Sequence, residues 1–196
     1  MNHQNINLKD LFLLDKDITY LNHGSFGATP KPIFNELQKF QLLLEKQPVS
    51  FLDAHINENI LAAQKSLSEF INCNYDDIVF FTNPTTAINE IMRSIPLYEG
   101  DEVLSSTHEY GALDKAWTFI CKKRKANYIK ATINVPIKST KDFYETFLSA
   151  ITPKTKAIFI SHITSSTGLI FPVDEIIKYA KEKGILTIID GAHAPG

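Results

Sequence analysis

Cysteines, nucleotide-binding glycine motifs and long apolar runs are scarce in this chain, and each shortage narrows what it can be. Its 196 residues hold two cysteines, Cys73 and Cys121, far apart and outside any CxxC pair. That usage argues against a disulfide scaffold or a structural zinc site, and both read as small buried apolar side chains. A metal site drawn from His108, His162, Asp190 and His193 lacks local ligand spacing, so no metal is expected. No GxGxxG follows an apolar run, which argues against a dinucleotide site. The loop His23-Gly24-Ser25-Phe26-Gly27 suggests an oxyanion hole, but GxSxG is absent, which disfavours a serine hydrolase. No apolar run approaches the roughly 20 residues of a membrane span, and the first residues, Met1 to Asn5, lack the charged start and apolar core of a signal peptide. The expectation is a cytoplasmic protein with no membrane partner. Net charge is −2 with charges scattered, so no basic stripe points to nucleic acid.

A hydrophobic content of 44% over this length is enough to bury a sizeable core. Spacing predicts a helix from Pro32 to about Lys46, with Pro in its first turn and Ile33, Leu37, Phe40 and Leu44 on one face. A second, near 55–70, carries Ile56, Ile60, Ala63, Leu67 and Phe70. From residue 77 onward short apolar strands alternate with helices: Ile78–Thr82, Glu102–Ser105, Tyr128–Thr132, Ala157–Ser161 and Ile185–Ile189, with helices from about Thr85, over 111–123, 141–150 and 173–183. Alternation of this kind reads as a doubly wound α/β fold with a mostly parallel sheet. Ligands of such sheets bind outside the carboxyl ends of the strands, so the residues just after each strand are the candidates.

Four strand ends carry chemistry. Thr82-Asn83-Pro84-Thr85-Thr86-Ala87 opens a helix whose N–H groups and dipole suit an anion, or which Asn83 or Thr85 simply caps. In Ser106-Thr107-His108-Glu109-Tyr110-Gly111-Ala112, His108 or Tyr110 can present a ring to a flat ligand or fill the strand–helix junction. The loop His162-Ile163-Thr164-Ser165-Ser166-Thr167-Gly168 offers hydroxyls for a ligand or for turn closure. Asp190, directly after Thr187-Ile188-Ile189, should be half buried and therefore needs a cation or several donors, unless it is an N-cap.

Taken together, these segments and Tyr20-Leu21-Asn22-His23-Gly24-Ser25-Phe26-Gly27-Ala28 resemble the class V aminotransferase family of pyridoxal-phosphate enzymes, and within it the isopenicillin-N epimerase-like branch. The resemblance runs from Tyr20 to Gly196. It implies the large domain of the fold type I transferases, with residues 1–50 as an N-terminal arm and first helix and 51–196 as a partial cofactor-binding domain. It also implies pyridoxal 5′-phosphate as cofactor, an amino-acid-type small-molecule substrate and a homodimeric parent. By residue, Thr85, Thr86 and Ala87 would hold the phosphate, and Tyr110, with His108 second, would cover the ring. Asp190 would pair with the pyridinium nitrogen, Ser165 and His193 would reach the ring oxygen, and Asn22 and His23 would line the substrate side. Ser165 stands where many relatives carry asparagine. No lysine here follows a strand in the family's Schiff-base context, so the chain reads as an N-terminal half, truncated before the last strands and the small domain, and inactive alone. Reaction type stays open between epimerase or aminotransferase chemistry and desulfurase or lyase chemistry. The family's sheet order, 3-2-4-5-6-7-1, would leave Ile78–Thr82 without neighbours and the isolated fragment prone to aggregate.

Overall fold

The computed structural model describes residues 7–195, in two compact units divided between Phe80 and Phe81. The first unit contains a 3-10 turn at Leu8–Leu11, helix α1 (Lys31–Lys46), a π-helical stretch at Ser50–His55, helix α2 (Ile56–Ile71) and a 3-10 turn at Tyr75–Asp77. Pro32 lies in the first turn of α1, where a missing N–H costs nothing. Its apolar residues Ile33, Leu37 and Phe40 are exposed. The helical path runs unbroken from residue 48 through the π turn into α2. Asn72 ends α2 in the left-handed region, φ 55°, and Cys73 N–H donates to Ser68 O at 3.1 Å. This places Cys73 on the surface, correcting the expectation of a buried side chain; Cys121 is buried as expected.

In the second unit, α3 (Pro84–Ser94) leads to β1 (Glu102–Ser106), α4 (Gly111–Arg124), β2 (Asn127–Ala131), α5 (Thr140–Leu148), β3 (Thr155–Ser161), α6 (Val173–Glu182) and β4 (Leu186–Asp190). All strand pairs are parallel, in the order β2-β1-β3-β4. This is the contiguous 3-2-4-5 block expected from the family's sheet. Alternate residues of each strand face opposite sides. Val103, Ala157, Phe159 and Ile188 pack with Ile88 and Met92 of α3 and with Leu113 and Trp117 of α4. Leu104, Ile158 and Ile160 pack with Phe143 and Phe147 of α5 and with Ile176 and Ala180 of α6. Helices therefore cover both faces of the sheet, as a doubly wound fold requires. Across α3 and α4, the Arg124 guanidinium donates to Arg93 O at 2.5 Å and also to Ile95 O, covering carbonyls at the end of α3.

Four of the five expected strands form. Ile78–Thr82 does not: Ile78 is extended and buried, but the segment has no ladder partner among the described residues, and Val79, Phe80 and Phe81 are exposed. A strand exists through its neighbour's hydrogen bonds, so an apolar segment without one is extended chain. Among the described residues no helix is long and apolar enough to cross a membrane.

Candidate functional site

The sheet order puts the topological switch point between β1 and β3, because the chain passes from β1 outward to β2 and then returns to the other side of β1. Open α/β sheets bind ligands at such a point, beyond the carboxyl ends of the strands. Pairing of β1 with β2 continues to Ser106 and Ala131, and that of β3 with β4 continues to Ser161 and Asp190. Between β1 and β3, however, it stops at Leu104 and Ile158. The ends of β1 and β3 are thus left to be joined by side chains.

Glu109 joins them. Ser106 Oγ donates to one carboxylate oxygen at 2.6 Å, while Ser161 Oγ at 2.6 Å and Ser161 N–H at 2.9 Å donate to the other. Burial pushes the Glu109 carboxyl above its ordinary value; the serine donors oppose that shift, and the negative charge of Asp190 adds to it. Glu109 is not among the residues expected from sequence to form the site, although it stands between His108 and Tyr110. The available signal was an acid in a strand-end loop leading into a helix.

Asp190 ends β4 and is 6% exposed, more deeply placed than the half burial expected. One carboxylate oxygen accepts from Ala192 N–H at 3.0 Å, and the other makes no hydrogen bond among the described residues. The main chain around it is fixed by His162 N–H donating to Asp190 O at 2.9 Å. A buried acid with a single backbone donor suits a cationic N–H, which is what the protonated ring nitrogen of pyridoxal phosphate would present. His193 is exposed in the turn that follows, closed by Ala194 N–H on Gly191 O.

The other candidates divide. His108 points its ring into the fold: Nε2 lies 2.7 Å from Ile133 O, and the ring stands edge-on to Phe171. That fills the strand–helix junction and leaves Tyr110, 45% exposed at the N-cap of α4, as the ring with an open face. In the loop after β3, Thr164 is buried and closes the turn through Leu169 N–H and Thr167 Oγ1, with Gly168 at φ 63°. Ser165 is exposed. At the start of α3, Asn83 is the cap, accepting from Thr86 N–H at 2.8 Å and Thr86 Oγ1 at 3.0 Å, and Ala87 N–H donates to Asn83 O. Thr85 makes no hydrogen bond through its N–H or hydroxyl among the described residues, so Thr85 is open to an anion and Thr86 only if Asn83 yields. Asn22 and His23 belong to the first unit. Asn22 O accepts from Phe26 N–H, and the His23 ring packs against Phe12 and Tyr20.

Known proteins resemble this chain over most of its length. The chain is 30% identical over 195 residues to isopenicillin N epimerase from Amycolatopsis lactamdurans, covering 97% of this chain and 48% of that protein. It is 24% identical to an L-cysteine desulfhydrase-like protein from Epichloe uncinata, covering 95% of this chain and 42% of that one. A solved C-DES mutant with glycine covalently linked to its PLP cofactor superposes with a TM-score of 0.80 at 21% identity, over 95% of this chain and 50% of that structure. The chain spans about half the length of the curated relatives it matches. The family model described as aminotransferase class-V matches residues 19–196, and the chain belongs to that family.

Proposed function

We propose that the chain carries the cofactor site of a pyridoxal-phosphate-dependent enzyme acting on an amino acid or an amino-acid-derived substrate, of epimerase or aminotransferase type. The observation that carries this reading is Asp190, buried at the end of β4 with one oxygen on Ala192 N–H and the other unpaired. When bound, pyridoxal phosphate would act as an electron sink for a bond broken at the substrate Cα. Asp190 would keep a proton on the ring nitrogen, Tyr110 would cover the ring, and Ser165 and His193 would stand near the ring oxygen. Thr85 would bind the phosphate first, with Thr86 and Ala87 at the same helix start. Asn22 and His23 are proposed for the substrate side, and a homodimer for the parent enzyme.

Pyridoxal phosphate added to the chain should bind with an affinity that Asp190→Ala lowers about tenfold or more, since a charge-assisted hydrogen bond is lost. In a catalytically complete protein carrying these residues, Asp190→Asn should retain cofactor yet lower turnover about a hundredfold. Equal affinity in Asp190→Ala, or unchanged turnover in Asp190→Asn, would sink the assignment. The desulfhydrase-like relative favours a second reading, C–S lyase or desulfurase chemistry. Release of sulfide from L-cysteine, against racemisation of an amino-acid Cα, separates the two.

A further inference from the structure

We propose that Glu109 is a positioning residue for this site: its carboxylate ties the end of β1 to the end of β3 across the switch point and, through Ser161, fixes the strand partner of Asp190. The inference rests on the reading of Asp190 as the ring-nitrogen partner, and its geometry stands independently. Backbone pairing between β1 and β3 ends at Leu104 and Ile158, so the last residues of both strands lack a direct ladder to each other. Glu109 supplies the missing connection, taking Ser106 Oγ from one side and both donors of Ser161 from the other.

Ser106 and Ser161 are both buried, so their polar groups must find partners within the protein. Ser106 Oγ is further committed, accepting from His108 N–H at 3.1 Å. Ser161 is register-paired with Asp190, and the next residue, His162, donates its N–H to Asp190 O. Displacing Ser161 therefore displaces the backbone that carries the Asp190 carboxylate. Charge-assisted bonds of this length are short and directional, which suits them to setting position. Asp190 takes its own donor, Ala192 N–H. The two acids therefore have separate tasks at neighbouring strand ends, one holding the strands and one left for the ligand.

Glutamine separates geometry from charge. In Glu109→Gln the amide oxygen can still accept from Ser161 and the amide nitrogen can donate to Ser106 Oγ, whereas Glu109→Ala leaves the Ser161 N–H buried without a partner. The test compares the chain with its E109Q, E109A and S106A variants and the S106A/E109A double variant. Amide hydrogen exchange at Ser161 and Ala192 is followed together with binding of pyridoxal phosphate and of inorganic phosphate. E109A should speed exchange at both amides and weaken pyridoxal phosphate about tenfold while inorganic phosphate binds as before. E109Q should stay within about threefold of the parent on both readouts. S106A should shift exchange at Ser161 in the same direction as E109A, and the double variant should be no worse than E109A alone. The proposal is overturned if E109A leaves Ser161 exchange unchanged, if E109Q is as impaired as E109A, or if the S106A and E109A effects simply add. Should E109A fail to fold, E109Q and S106A decide by the same criteria. A parent chain that does not bind pyridoxal phosphate refutes the cofactor reading, and the exchange measurements still judge the tie.

Discussion

Two acids at the sheet end behave differently because their neighbours differ. Asp190 could be singled out from its own segment, since a buried-strand run that delivers an acid implies a partner for it. Glu109 could not, because the residue that defines it, Ser161, lies 52 positions away. The Glu109 carboxyl is held above its ordinary value of 4.5, so the folded chain binds its proton more tightly than the unfolded chain does. Its contribution to stability is therefore complete below that ordinary value and is lost as pH rises through the raised one, with a slope of at most about 1.4 kcal/mol per pH unit. Urea midpoints measured between about pH 4 and pH 8 should show this fall in the parent and not in Glu109→Gln. The cysteines give a second check. Burial pushes the Cys121 thiol up to about 11, keeping it protonated and inert, whereas Cys73 is exposed. A disulfide reagent should modify one thiol in the folded chain and both after unfolding; early loss of Cys121 would contradict its place on the buried face of α4.

Elements follow local rules closely, and their start signals carry both structure and function. Asn83-Pro84-Thr85-Thr86 is legible as a helix start because cap, proline and hydroxyls lie within one turn. Of the two capping residues considered, the structure shows Asn83 as the cap, bonded to Thr86. Asn83→Ala should destabilise the second unit by about 1 kcal/mol, read from a denaturation midpoint. The same change releases the Thr86 N–H and hydroxyl, so affinity for inorganic phosphate should hold or rise; a fall would mean that Asn83 itself holds the anion. His108 shows the opposite case. Its residue type suits a ring over a ligand, yet Ile133 O, 25 positions on, turns it inward. Where the His108 ring goes was a matter of a distant carbonyl and not of residue type.

At the scale of the whole molecule, apolar surface is the dominant unsettled quantity. Val79, Phe80 and Phe81 are exposed beside one another in a segment without ladder partners among the described residues, and α1 exposes Ile33, Leu37 and Phe40. Contiguous apolar surface of this kind drives association. Sedimentation of the chain should show concentration-dependent self-association that Phe80→Ser with Phe81→Ser reduces; a monodisperse monomer at all concentrations would contradict it. The sequence by itself determined the helices, four strands and the strand-end acid, because apolar periodicity, caps and turn residues act over a few positions. It also determined, through its resemblance to a family, the order in which those strands lie. Only the tertiary structure decided that His108 fills a junction and that Glu109 bridges β1 and β3. Each of those outcomes depends on a partner far away in the chain, and parallel pairing, which brings such partners together, leaves no local mark on either residue.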